Sequence, residues 1–83
     1  MPKLRRLGGR DVARILARHG FKIVRTRGSH ATLQRVSAHG VRETLTIPLH
    51  DELARGTLQA VYRQCRKFLP ESQLRAAFYT AED

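Results

Sequence analysis

Two seven-residue segments, His30–Val36 and Arg42–Pro48, constrain the fold of this chain more than anything else in it. In the first, Ala31 and Leu33 alternate with His30, Thr32 and Gln34; in the second, Leu45 and Ile47 alternate with Thr44 and Thr46. A strand sends successive side chains to opposite faces, so each segment reads as a strand with one apolar and one polar side. Ser37 to Val41 contains Gly40 and suits a hairpin loop. Pairing the strands gathers their apolar sides and leaves His30, Thr32, Gln34, Thr44 and Thr46 facing water. An isolated hairpin is marginal in water, so the rest of the chain must cover its apolar face.

The flanking segments supply that cover. Gly8-Gly9 precedes a helix carrying Val12, Ile15 and Leu16 on one face, with Asp11 in its first turn and Gly20 as its stop. Phe21 to Thr26 reads as a further strand, and Arg27-Gly28-Ser29 as a tight turn into His30. Beyond Pro48 a loop through His50, Asp51 and Glu52 leads to a helix striped by Leu58, Val61, Tyr62, Cys65, Phe68 and Leu69. Pro70 closes that helix, and Ser72 is the expected N-cap of a short terminal helix with Leu74, Ala77 and Phe78. The expected class is α+β: order α-β-β-β-α, a three-stranded antiparallel sheet packed on helices, and an extra C-terminal helix. With 83 residues there is room for one core, so residues 1–83 are expected to form a single domain.

Charge narrows the partners. The formal net charge is +9, and it is unevenly placed. Residues 1–42 hold eleven Lys and Arg against Asp11 alone, whereas residues 43–83 hold five against six acidic groups. Thirteen of the sixteen cations are Arg, whose planar fork binds phosphate in bidentate fashion. A polyanion, and a nucleic acid first among them, is the expected partner. Arg10, Arg14 and Arg18 recur every four residues along one exposed helix face, where like charges repel unless an anion meets them. No apolar run approaches the roughly 20 residues that cross a bilayer, and none follows the basic N-terminus as a signal peptide requires. Cys65 has no second cysteine to pair with, which suits a reducing compartment. A cytoplasmic protein with no membrane partner is expected.

The chemistry is bounded by what is missing. There is no phosphate-cradling Gly-rich loop, no Cys pair, no deaminase signature and no carboxylate cluster of the two-metal kind. His19, His30, His39 and His50 lie nine to eleven residues apart and match no metal spacing. Cys65 belongs to the core stripe of its helix. If the chain cleaves nucleic acid, it is expected to do so without metal or cofactor, with histidine moving the proton. His19 suits a helix C-terminus and His39 a solvated loop. His50 is open between binding phosphate and fixing its loop. His30, at the start of a strand on the polar face beside the basic helix, is open between catalysis and simple exposure.

Two motifs resemble a known family. Gly20-Phe21, Arg25 and Arg27-Gly28-Ser29-His30 are similar to the Gly-Phe, Arg, Gly-Ser-His signature of the HicA (YcfA-like) toxins. Independently, Thr46-Ile47-Pro48-Leu49-His50, Glu52-Leu53, Gly56-Thr57-Leu58 and Arg63-Gln64 resemble the family's Pro-x-His to Gly-Thr-Leu segment. The resemblance covers about residues 8–69 and leaves 70–83 as an extension. It implies a double-stranded-RNA-binding-domain-like fold and a toxin of a type II toxin–antitoxin system. That toxin cleaves mRNA, carries its catalytic histidine at His30, and is neutralised by a HicB antitoxin in a hetero-oligomer; alone it is expected to be a monomer. The last large helix begins Arg55-Gly56-Thr57, without the Lys-rich clamp of a true duplex binder, so single-stranded RNA is expected. Arg25, Arg27 and Ser29 are then expected at the reacting phosphate, His50 as a second group, and Arg10, Arg14 and Arg18 along the RNA. The alternative is a non-catalytic RNA-binding module that occludes its target.

Overall fold

The chain runs through Gly9–Ala17 (α1), Lys22–Arg27 (β1), His30–Val36 (β2), Arg42–Pro48 (β3), Arg55–Cys65 (α2) and Glu71–Phe78 (α3) in a computed structural model that describes residues 2–80. The strands form an antiparallel sheet in the order β1-β2-β3. Ala31 pairs with Ile47 and Leu33 with Leu45, so the residues that alternate as apolar in the sequence meet on one face. These four side chains are almost fully buried. They share one core with Val12, Ile15 and Leu16 of α1, with Leu58, Val61, Tyr62 and Cys65 of α2, and with Leu74 and Phe78 of α3. The architecture is the expected α+β arrangement, consistent with a double-stranded-RNA-binding-domain-like fold. Burial pushes the Cys65 thiol up to about 12, which leaves it protonated and inert.

Boundaries differ from the sequence reading: α1 already includes Gly9, and Arg27 ends β1 paired with His30 and is not part of the turn. Phe21 precedes β1: its N–H bonds back to Leu16 O, closing α1, and its ring is buried. The helix α2 stops at Cys65, and Phe68 and Leu69 continue its apolar stripe from a following turn. Pro70, not Ser72, is the N-cap of α3; its carbonyl accepts from Gln73 and Leu74, and its lack of an N–H costs nothing at a helix start.

Arg35 corrects the charge reading. It sits on the core-facing side of β2, opposite Glu43, and its side chain is only 19% exposed. The guanidinium pairs with Glu43, donates to His19 O and Phe68 O at 3.0 Å each, and lies 5.0 Å from the Phe21 ring centroid. One cation thus holds the turns after α1 and α2 against the sheet. Arg35→Ala is expected to cost roughly 2–3 kcal/mol, because it strands a half-buried carboxylate and two carbonyls. Thermal melts check this.

Both chain ends are tied to this core. Leu4 bridges to Tyr79, Arg5 N–H donates to Phe78 O at 2.8 Å, Thr80 N–H donates to Lys3 O at 2.7 Å, and the Arg5 guanidinium donates to Ala77 O at 2.8 Å. At the other end of the motif, Gly9 N–H donates to His50 O at 2.8 Å. A Cβ on Gly9 would lie 1.9 Å from Pro48 O, so only glycine lets α1 start against the loop that carries His50.

Candidate nucleic-acid interface

The polar face of the sheet depends on an irregularity in β1. Ile23 pairs with Leu33, but Arg25, two residues on, pairs with the adjacent Thr32, so Val24 is an extra residue in a bulge. A regular strand with Lys22 on the polar face would have turned Arg25 and Arg27 toward the helices. The bulge reverses the phase, and directly paired residues share a face. Lys22 therefore stands beside Gln34 and Thr44, Arg25 beside Thr32 and Thr46, and Arg27 beside His30 and Pro48. None of the strand residues on this face is a carboxylate, since Glu43 lies with Arg35 on the other side. Among the described residues no acidic group pairs with Lys22, Arg25 or Arg27.

His30 is exposed at one end of this face. The turn before it needs Gly28, whose φ is +59°. Ser29 O accepts the N–H of Leu49, which fixes the turn to the end of β3, and His50 follows immediately. The structure thus gathers Arg25, Arg27, Ser29, His30 and the His50 loop at one end of the sheet. The imidazole of His50 is exposed, and the backbone of this residue holds α1.

The α1 stripe is not brought to the same place. Arg10, Arg14 and Arg18 are exposed as expected, but α1 packs on the apolar face of the sheet, so His30 is across the sheet from the basic helix and not beside it. Arg10 follows Gly9, whose N–H bonds to His50 O, and with Arg14 it lines a groove that reaches Lys22 of β1. Arg14 pairs with Asp11, whose other oxygen accepts Gly8 N–H at 2.8 Å; that bond, with Arg14, holds the Asp11 carboxyl below its usual range. Arg18 lines a cleft toward α3 with His19 and Gln73. Among the described residues no group of three or more His, Cys, Asp or Glu is placed to hold a metal ion.

The family model for the HicA toxin of bacterial toxin–antitoxin systems matches residues 9–66. The chain belongs to the HicA toxin family. No curated protein and no solved structure matches it. The HicA match begins at the first residue of α1 and ends one residue beyond α2, so the whole polar face lies inside it and α3 outside. Lys22 and Arg42 are the cations of that face the sequence reading passed over.

Proposed function

We propose that this HicA-family chain is a metal-independent endoribonuclease that cleaves single-stranded mRNA, with His30 moving the proton. The reading is carried by one observation: an exposed histidine at the end of a sheet face lined by cations, hydroxyls and an amide, without a carboxylate. Neutral imidazole takes the proton of a ribose 2′-OH as its oxygen attacks the adjacent phosphorus. The bond to the 5′-oxygen breaks, leaving a 2′,3′-cyclic phosphate, and the departing oxygen takes a proton from His50 or water. The opposite assignment, with imidazolium as the acid, uses the same residues. Arg25 and Arg27 stabilise the charge on the pentavalent phosphorane, and Ser29 orients the phosphate.

The test is a digest of end-labelled RNA in EDTA. Shortened products with cyclic phosphate ends are expected; RNA retained but uncut would replace this reading with the occluding RNA-binding module.

The family is that of a toxin with an antitoxin, and we propose a HicB-like partner in the cytoplasm whose acidic surface covers His30. Among the described residues no helix is long and apolar enough to cross a membrane. Stoichiometric partner is expected to stop cleavage and compete with RNA in a hetero-oligomer. A bound partner that leaves cleavage intact overturns occlusion.

A further inference from the structure

The end of the polar face remote from His30 carries an unexpected apolar floor. Val24 and Val36 are 53% and 65% exposed on a face that is otherwise polar. With Lys22, Gln34, Arg35 and Arg42 they line an open depression of about 390 Å³. Two exposed valines rimmed by cations and one amide offer an apolar surface with a few polar groups at its edge, the composition of a ligand subsite.

A track joins this depression to His30. Arg27, Arg25 and Lys22 stand opposite His30, Thr32 and Gln34, whose positions on β2 are two residues, about 6.6 Å, apart, the bulge taking up the third residue between Arg25 and Lys22. That step is comparable to the distance between neighbouring phosphates in an extended single strand. His30 and Gln34 are four residues apart, about 13 Å along β2, or two such steps.

We infer that the polar face holds a nucleobase subsite on Val24, Val36 and Gln34, reached from His30 by a track of phosphates on Arg27, Arg25 and Lys22. It rests on the endoribonuclease reading only in taking the His30 end as the reacting one. The base lies on the valines, with Arg42 at its rim, and presents its edge to Gln34. A carboxamide offers a donor and an acceptor side by side and matches adenine best. The chain therefore reads one base two nucleotides from the scissile bond and holds the intervening strand by its backbone.

The experiment uses hexanucleotides of 2′-O-methyl RNA, which lack the attacking hydroxyl and cannot be cut. Each position is varied over four bases, and anisotropy is followed against salt for the whole chain. Wild type is expected to prefer adenine at one position. Gln34→Ala is expected to flatten that preference several-fold, and Lys22→Ala to weaken every oligonucleotide several-fold and reduce the salt slope by about 0.7. Unchanged affinity and slope in Lys22→Ala, or an unchanged base preference in Gln34→Ala, overturns the subsite, whether or not natural RNA is cleaved. If the hexanucleotides bind as expected but natural RNA stays intact, the subsite stands and the endoribonuclease reading falls.

Discussion

Replacing His30 with alanine is expected to slow RNA cleavage by about 10²–10⁴-fold, the usual contribution of one positioned proton-transfer group. The melting temperature is expected to stay where it is. His30 is exposed, flanked on the sheet by Arg27 and Pro48, and little packing is lost with its ring. Initial rates on labelled RNA and thermal melts check the two halves separately. Undiminished cleavage overturns the catalytic assignment, and unfolding marks His30 as structural. The same assay on His50→Ala tells whether that residue or water serves as the second group, since a water-assisted reaction loses little.

Phe78→Ala is expected to cost about 3–5 kcal/mol, the range for deleting a fully buried aromatic ring. A chain of this size has only on the order of 4–12 kcal/mol to lose. Phe78 is fully buried and meets the Tyr62 ring edge-on at a centroid distance of 5.1 Å, while the Tyr62 hydroxyl donates to Glu71 at 3.3 Å. The helix that carries Phe78 lies beyond the family match, yet it closes over the second helix and covers Tyr62. Urea denaturation measures the loss. A cost below about 1 kcal/mol would mean that α3 rests on the core without completing it.

The hairpin was legible because a period of two assigns each side chain to a face when both strands obey it, and the short loop around Gly40 then brings Leu33 opposite Leu45. The helix limits were less so. Phe68 and Leu69 fit the stripe of α2 although the backbone has already turned, because a turn can present apolar side chains to the same core. Arg35 carried a readable signal, a cation on the apolar side of one strand facing Glu43 on the apolar side of the next. A charge count hides it, since it adds one more Arg to the total. The candidate site was half legible. His30, Ser29 and Arg27 adjoin in sequence, but the placement of Lys22 and Arg25 depends on the bulge at Val24. Bulges are decided by strand pairing, which no local pattern contains.

The tie between Lys3–Arg5 and Phe78–Thr80 makes these two segments, the first and last of the described residues, one opening unit. Termini usually fray independently and close to zero free energy, exchanging amide hydrogens and admitting proteases first. Here neither end can open alone. Peeling Leu4 from Tyr79 removes the backbone partners of α3, and lifting α3 strands Arg5 and bares Tyr62. Amide protection at Arg5 and Thr80 should therefore report the same opening event, and a cut at one end releases the other.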